Sequence, residues 1–374
     1  MSLAPAHARA ARTGTPIERL SVAVCRVPTD APESDGTFAW SSTTLVVVHA
    51  TAGGRTGLGW SYAAAAAARV IADSLAPVVR GKDARSPVAA WHAMREAVRN
   101  VGRPGIASCA IAAVDLALWD LATRLSDLPL ARALGLVRAR VPVYGSGGFT
   151  SYPIAHLQRQ LAGFAAAGMR MVKMKVGRDR AADPMRMRAA REAIGADTQL
   201  FVDANGACDV PGALALAREA HDVGATWLEE PVSSDDAAGL RAVRDRLPPG
   251  MALAAGEYVW EPREALRLLQ PGAVDVLQLD VTRCQGCTGF MRAAALAEAM
   301  NVPVSAHCAP ALHAAPCCAA AGVRHVEYFH DHARIEGMLF DGVPRVVDGM
   351  LAPDLSRAGH GMALRAREAA RFEV

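Results

Sequence analysis

The chain has 374 residues, of which 52% are apolar and 21% are charged. Such a composition can bury a sizeable core, which excludes wholesale disorder, and the length predicts two domains or one large barrel with a smaller addition. The 40 basic and 37 acidic residues are interspersed and give a net charge of +3. No basic face is therefore available for the phosphates of a nucleic acid, which we do not expect as a partner.

The sequence does not indicate membrane insertion or secretion. The longest apolar stretch, residues 308–323, contains His313 and Pro316 and is shorter than the ~20 residues that cross a bilayer. The N-terminal residues include arginines but no apolar segment, which predicts no secretory signal. We therefore expect a cytoplasmic protein without a membrane partner.

Eight cysteines are scattered along the chain. A disulfide framework belongs to short secreted domains, so we expect buried thiols in a reducing compartment. One CxxC pair, Cys284 and Cys287, has no second pair at zinc-finger spacing, so it gives little support for a metal site.

The first 135 residues predict an α+β capping domain. Two runs, SVAVCRV and TTLVVVHA, have the pattern of antiparallel strands, and three alanine-rich segments of helical length follow at 62–81, 87–100 and 108–126. Residues 28–40, between the two strands, are rich in Pro, Ser, Asp and Gly. This segment predicts a long polar loop, either an ordinary exposed connection or a lid over a site.

From about residue 136 to 350, short strand-like runs alternate with alanine-rich stretches of helical length. Strands alternating with helices indicate parallel βαβ units, and eight of them are typical of a (β/α)8 barrel; a doubly wound open sheet is the alternative. The eight predicted strands are residues 141–146, 171–176, 200–205, 226–231, 253–257, 276–281, 304–308 and 326–329.

The basic residues are unusual, because 37 of the 40 are arginine and only Lys82, Lys173 and Lys175 are lysine. Two of the three lysines alternate in the strand MVKMKV, so they point to one face. Arginine cannot act as a base because its pKa stays above ~12, whereas the pKa of a lysine beside a second cation can fall towards neutrality. The two lysines therefore indicate that the function of this strand requires an amine rather than a guanidinium group.

Polar residues fall at the C-terminal ends of the predicted strands. In a barrel they would all face one mouth, which is where barrel enzymes keep their chemistry. Asp203, Glu229 and Glu257 come from three consecutive strands, and converging carboxylates need a cation between them. All-oxygen ligation with open positions suits Mg²⁺ better than zinc. The polar strand ends are Lys173, Lys175, Asp203, Asn205, Glu229, Glu230, Glu257, Asp280, His307 and Glu327.

The segments VKMKVG, FVDAN, WLEEP, GE, LDVTRCQGCTG, VSAH and VEYF, with DLALWDLA earlier in the chain, together resemble the mandelate racemase group of the enolase superfamily. The resemblance covers nearly the whole chain. It implies an acid-sugar dehydratase or a related enzyme, a homo-oligomer, and a C-terminal segment, 351–374, that returns to the capping domain.

The resemblance also implies a role for each matching residue. Asp203, Glu229 and Glu257 would bind Mg²⁺. Lys175 would be a base on one face of the substrate, assisted by Lys173. His307, held by Asp280, would act on the opposite face, and Glu327 would donate a hydrogen bond to the substrate carboxylate.

These roles carry electrostatic expectations. The charge of Lys173 should lower the pKa of Lys175, and Asp280 should raise that of His307. Glu327 must keep its proton in order to donate, so its pKa should be raised. Other positions are less specific: Glu230 is expected beside the ligands rather than among them, and Tyr144, Asn205 and Arg283 are candidates for substrate contact.

Two reactions share this apparatus. After proton removal alpha to a carboxylate, the enzyme can return the proton on the other face, as a racemase or epimerase does, or expel a 3-hydroxyl as water. The polar residues of segment 28–40 favour a polyhydroxy substrate and hence a sugar-acid or aldaric-acid dehydratase that yields a 2-keto-3-deoxy acid. A metal-independent Schiff-base aldolase using Lys175 is an alternative from another class.

Overall fold

A computed structural model describes residues 14–374. The N-terminal residues, for which we predicted no secretory signal, lie outside the described part except for Gly14. The cap begins with a three-stranded antiparallel sheet in the order β1–β2–β3. Its strands are β1 Arg19–Ser34, β2 Ala39–Ala52 and β3 Arg55–Tyr62. Its helices are α1 Ala66–Val70, α2 Ala76–Val79, α3 Pro87–Ala97, α4 Ile106–Arg124 and α5 Leu130–Ala133, with a π-helical turn, Ile71–Leu75, between α1 and α2.

Helix α4 packs tightly on the cap sheet. A side chain at Gly57 would place its Cβ 2.2 Å from the carbonyl oxygen of Ala117, and one at Gly59 would place it 2.4 Å from the Ala117 nitrogen. Only glycine permits this approach of strand to helix. Within residues 14–374, α4 is the one helix long and apolar enough to cross a membrane, but 89% of that window is buried inside the protein.

Segment 28–40 is a hairpin rather than the long loop that its composition predicted. Strands β1 and β2 continue through the pair Glu33 and Trp40, after a register shift that begins at Pro28. Asp35 closes the turn, because its Oδ1 accepts from the backbone N–H groups of Thr37 and Phe38 at 2.7 Å each. An aspartate that hydrogen-bonds the following backbone makes such a turn compact.

The barrel prediction is confirmed. Strands β4 to β11 are parallel neighbours in chain order, and β11 pairs with β4 in parallel through Val326 and Val143. This closure excludes the open doubly wound sheet. The strands are β4 Val141–Gly147, β5 Met171–Lys175, β6 Gln199–Asp203, β7 Ala225–Glu229, β8 Ala252–Ala255, β9 Val276–Leu279, β10 Val304–Ala306 and β11 Val323–Phe329.

Helices alternate with the barrel strands. A capping aspartate begins some of them, as where Oδ1 of Asp209 accepts from the backbone N–H of Gly212 at 2.8 Å, a bond that satisfies a free helix-end donor. The helices are α6 Ile154–Ala166, α7 Asp183–Ile194, α8 Val210–Asp222, α9 Ala237–Arg244, α10 Pro262–Leu269, α11 Gly286–Ala299, α12 Pro310–Ala319 and α13 His330–Leu339.

The last part of the chain touches both the barrel and the cap. Strand β14 pairs antiparallel with β4, and the backbone of Phe372 accepts from Arg26 of β1 at 2.8 Å. These contacts place the C-terminal residues against the cap sheet. The short elements here are β12 Phe340–Asp341, β13 Val346–Val347, β14 Met350–Leu351, β15 Ala363–Leu364 and α14 Ala366–Ala369.

Candidate active site

The C-terminal mouth of the barrel collects the predicted site residues. Lys173 and Lys175 lie on β5, and the two residues are 0% and 5% exposed. Asp203 ends β6 and Glu229 ends β7, whereas Glu257 follows two residues after β8. Because parallel strands all end at one side of a barrel, residues distant in sequence meet here.

Three carboxylates form the centre of the mouth. One oxygen each of Asp203, Glu229 and Glu257 lies within 4.8 Å of the other two, and all three residues are buried. Oε2 of Glu257 is buried without a hydrogen-bond partner. A cluster of three buried carboxylates, with one oxygen left without a hydrogen-bond partner, fits a hard divalent cation.

Both lysines contact these carboxylates. Lys175 Nζ lies 2.5 Å from Oδ2 of Asp203, while Lys173 Nζ contacts Glu229 and lies 3.2 Å from the same oxygen of Asp203. Burial alone would lower the lysine pKa, but the carboxylates outweigh burial, so the pKa of Lys175 is raised. Lys173 does lower the pKa of Lys175, as expected, but the nearby carboxylates outweigh it and the net shift is upward.

Charges within the carboxylate group are uneven. Burial would raise the pKa of Asp203, yet Lys175 and Lys173 hold it well below its ordinary value. Burial and the charge of Asp203 raise the pKa of Glu229. Asp203 therefore carries a negative charge more readily than Glu229, although both contact the lysines.

His307 and Asp280 form a pair across the mouth. Nδ1 of His307 lies 2.8 Å from Oδ2 of Asp280, and its Nε2 lies 3.3 Å from Oε2 of Glu257. Lys175 lies on β5 and His307 directly follows β10; these strands are separated by β4 and β11 in one direction and by four strands in the other. Lys175 and His307 nevertheless line one cavity.

Glu327 differs from its prediction. Its Oε1 lies 2.9 Å from Nζ of Lys173, and its Oε2 accepts from the backbone N–H of Cys308 at 2.8 Å. Burial opposes ionisation, but the charges of Lys173 and His307 prevail and lower the pKa of Glu327 well below its ordinary value. These contacts shift the pKa of Glu327 in the direction opposite to the rise that its predicted donor role requires.

The cavity between cap and barrel has a volume of about 320 Å³. The cap hairpin supplies part of its wall, which explains how a segment distant in sequence reaches the site. Its polar lining includes Asp35, Thr37, Ser42, Thr43, Asn205 and Arg283, and its aromatic lining includes Phe38, Trp40, Tyr258, Phe329 and His332.

Three weaker sequence candidates have different positions. Asn205 lines the cavity, and its buried Oδ1 has no partner. Arg283 also lines the cavity, but its Nη1 lies 2.8 Å from Oε1 of Glu257 and its Nε lies 3.7 Å from Oδ2 of Asp280, so these carboxylates already engage its charge. Tyr144 does not line the cavity: it is 0% exposed and packs inside the barrel against Phe201.

The polar hairpin residues mostly face away from the cavity. Glu33 accepts from Trp40 Nε1 at 2.8 Å, Ser34 bonds Thr150 at 2.6 Å, and Asp30 pairs with His330 at 2.9 Å. Only Asp35 of the acidic residues in this segment lines the cavity. Strand alternation, which composition does not show, decides which side chains point inward.

Sequence reasoning missed the aromatic wall. Phe38 and Trp40 stack with ring centroids 6.1 Å apart, and both lie in the segment that we treated as a polar loop. His332 was one of three histidines near the last strand and lines the cavity, whereas His325 is buried against Tyr144. A period-two reading of residues 33–40 was the available signal for the two hairpin aromatics.

The closed barrel, its cap and this mouth define an enzyme with a capped (β/α)8 fold. Two family models match the chain: "Mandelate racemase / muconate lactonizing enzyme, N-terminal domain" over residues 19–135 and "Enolase C-terminal domain-like" over residues 156–369. The chain therefore belongs to the mandelate racemase group of the enolase superfamily, as its motifs predicted.

Similar proteins include a 3,6-anhydro-alpha-L-galactonate cycloisomerase of Streptomyces coelicolor, 34% identical over 96% of this chain and 99% of the relative. A mandelate racemase/muconate lactonizing enzyme-like protein from Rubrobacter xylanophilus superposes with a TM-score of 0.94 at 53% identity, covering 96% of this chain and 99% of that one. L-talarate/galactarate dehydratase from Salmonella typhimurium, liganded with Mg and L-lyxarohydroxamate, has a TM-score of 0.89 at 27% identity, covering 100% and 96%.

Proposed function

We propose that this protein is a Mg²⁺-dependent dehydratase of a sugar acid or aldaric acid. It removes the proton alpha to the carboxylate and expels the 3-hydroxyl as water, giving a 2-keto-3-deoxy acid. The observation that carries the proposal is that Lys175 and His307 line one cavity beside the cluster of Asp203, Glu229 and Glu257.

The three clustered carboxylates fit Mg²⁺, since they offer only oxygen donors and Oε2 of Glu257 lacks a partner. A bound Mg²⁺ would neutralise the negative charge that develops on the substrate carboxylate and would draw the same carboxylates away from the two amines. The relative from Salmonella typhimurium, which was solved with Mg, supports this cofactor.

Lys175 is the proposed base. Its Nζ, once uncharged, accepts the alpha proton, and the electron pair of the broken C–H bond moves into the C1–C2 bond, which places negative charge on the substrate carboxylate as an enediolate. Lys173 stays an ammonium that faces the developing negative charge. Its side chain is 0% exposed, and burial in a dry site strengthens such an interaction.

His307 is the proposed acid. With Nδ1 directed at Asp280, the protonated ring gives the Nε2 proton to the 3-hydroxyl. The enediolate electron pair forms the C2–C3 double bond as the C3–O bond breaks, and water leaves. The enol that remains takes up a proton at C3 and becomes the 2-keto-3-deoxy acid. Glu327, through its bond to the backbone N–H of Cys308, holds the residue next to His307 in place.

The cavity supports a polyhydroxy substrate through a different set of residues from those expected. Thr37, Ser42, Thr43 and Asn205 provide hydroxyl and amide groups, which suit the hydroxyls of a sugar chain. The relatives named above include a galactonate cycloisomerase and a galactarate dehydratase. The polar lining of the cavity and these relatives together support a sugar acid as the substrate.

Racemisation or epimerisation is the second candidate. Phe38, Trp40 and Phe329 form an aromatic wall that suits an apolar substituent. A 2-hydroxy acid that lacks a 3-hydroxyl cannot lose water in this way and can only exchange its alpha proton. The Schiff-base aldolase is disfavoured, because a metal-independent reaction leaves the buried cluster of Asp203, Glu229 and Glu257 without a role. Oligomeric state and cytoplasmic location remain predictions.

The test is a panel of sugar acids and aromatic hydroxy acids incubated in deuterated water with Mg²⁺. Keto-acid product, detected with semicarbazide, is the expected result. Deuterium in recovered acid without keto product would instead establish a racemase or epimerase. Borohydride trapping of Lys175 that persists in a chelator would establish the aldolase and overturn both.

A further inference from the structure

A second group of potential metal ligands joins the cap hairpin to the barrel. Asp30 and Glu33 lie on β1, and His330 begins α13 directly after β11. Each offers one ligand atom, and these three atoms lie within 4.8 Å of one another. Nε2 of His330 is 2.9 Å from Oδ2 of Asp30. The group belongs to none of the elements that hold the catalytic carboxylates.

Glu33 is the member whose position needs an explanation. It is 1% exposed, and while its Oε2 accepts from Trp40, its Oε1 is buried with no hydrogen-bond partner. A carboxylate oxygen buried without a partner costs free energy that a bound cation would offset.

The arginine beside this group is engaged elsewhere. Arg334 is the nearby cation, but its Nη2 lies 2.5 Å from Oδ1 of Asp331 and also donates to the carbonyl of Pro28 at 2.7 Å. The other oxygen of Asp331 contacts the Thr43 hydroxyl. Arg334 is thus held by Asp331, and among the described residues His330 is the direct hydrogen-bond partner of Asp30.

We propose that Asp30, Glu33 and His330 form a second divalent-cation site that takes a transition ion such as Zn²⁺ or Mn²⁺. An imidazole nitrogen with two carboxylates is a donor set for such ions, whereas Mg²⁺ prefers oxygen ligands alone. The side chains of Asp30 and His330 are 45% and 24% exposed, which leaves an entry path and room for water ligands.

The site is coupled to the cavity by direct contacts. Glu33 holds the indole N–H of Trp40, and Phe329 precedes His330 in the chain; both Trp40 and Phe329 line the cavity. An ion at the second site would fix the hairpin against the barrel and so hold this wall of the cavity. It would also raise the thermal stability of the protein, since a ligand that binds only the folded state stabilises it.

The experiment uses the full chain, stripped with a chelator, saturated with Mg²⁺ and then titrated with Zn²⁺ by calorimetry. We expect one Zn²⁺ per chain without loss of Mg²⁺ by elemental analysis, and a rise in Tm. The variants His330→Ala and Asp30→Asn should weaken Zn²⁺ binding roughly tenfold or more. The matched controls His221→Ala and Asp73→Asn, both at exposed positions, should bind as the unchanged protein does.

Three results would overturn the second site. One is an absence of Zn²⁺ binding by the Mg²⁺-loaded protein. Another is release of one Mg²⁺ for each Zn²⁺ bound, which would place Zn²⁺ at the catalytic carboxylates. The third is unchanged Zn²⁺ affinity in both His330→Ala and Asp30→Asn, with circular dichroism showing that each variant is folded.

Discussion

His307 Nδ1 lies 2.8 Å from Oδ2 of Asp280, and this contact decides which ring nitrogen is available to a substrate in the cavity. The other carboxylate oxygen of Asp280 accepts from both the backbone N–H and the hydroxyl of Thr282, each at 2.7 Å. Asp280 is therefore held rigidly, and the hydrogen-bond network assigns the Nδ1 proton to its side. Nε2 is left as the atom that exchanges a proton with a substrate.

Replacing His307 by asparagine should abolish elimination while leaving proton exchange by Lys175 on one epimer. Asparagine fills similar space but cannot deliver a proton to the departing hydroxyl, and general acid catalysis contributes about 10² to 10⁴ in rate. Keto-acid formation and deuterium uptake into recovered substrate would be measured separately. Equal loss of both reactions would contradict a division of labour between Lys175 and His307.

Lys175→Arg should lose activity on the epimer that this amine serves, by about 10²-fold or more. The substitution keeps the positive charge beside Asp203 but removes the capacity to act as a base, because arginine does not deprotonate. The control is Lys82→Arg, at the third lysine of the chain, which lies in the cap outside the cavity lining. Wild-type turnover by Lys175→Arg would remove lysine as the base.

Glu257→Gln should weaken Mg²⁺ binding and reduce activity, whereas Glu230→Gln should leave Mg²⁺ affinity close to its starting value. Glu257 belongs to the carboxylate cluster, and an amide oxygen without charge is a poorer ligand for Mg²⁺. Burial and the charge of Glu257 raise the pKa of Glu230 well above its ordinary value, so a neutral amide there changes little. Calorimetric titration with Mg²⁺ would compare them, and a larger loss in Glu230→Gln would reverse the assignment.

Glu336→Gln should become more stable relative to the unchanged protein as the pH rises. Glu336 is buried on α13, its Oε2 accepts from the backbone N–H of Ala311 at 3.0 Å, and burial raises its pKa from 4.5 to about 8. The neutral form therefore favours folding below the unfolded-state pKa, and this contribution is lost as the pH rises through the folded-state value.

Urea unfolding of both proteins between about pH 5 and about pH 8 measures this effect, with an expected divergence of up to several kcal/mol. The two curves should run parallel above the folded-state pKa. A difference that is constant over the whole range would mean that Glu336 is ionised in the folded protein.

Much of the site could be predicted from the sequence, because it depends on the positions of residues within single strands. Lys173 and Lys175 alternate on one strand, and Asp203 and Glu229 each end a strand, so a parallel barrel brings all four to one mouth. The predicted barrel and its family were confirmed for this reason. Asp280 and His307, one residue beyond β9 and β10, could be placed in the same way.

Properties that depend on distant neighbours could not be predicted. Tyr144 is a polar residue on a strand that leads to the mouth, yet its side chain packs deep in the barrel against Phe201. The ionisation of Glu327 depends on Lys173, which lies 2.9 Å away but on a strand two places around the barrel. A pKa reports the sum of such contacts, and a sequence gives no distances.

The amino-acid sequence by itself determined the barrel, the family and the set of charged strand ends, because period and strand polarity are properties of short segments. Only the tertiary structure decided how the cap hairpin meets the barrel: Trp40 turns towards the cavity, while Asp30 and Glu33 turn towards His330. The physical reason is that these contacts join residues some 300 positions apart, where packing and charge, rather than local pattern, select the partners.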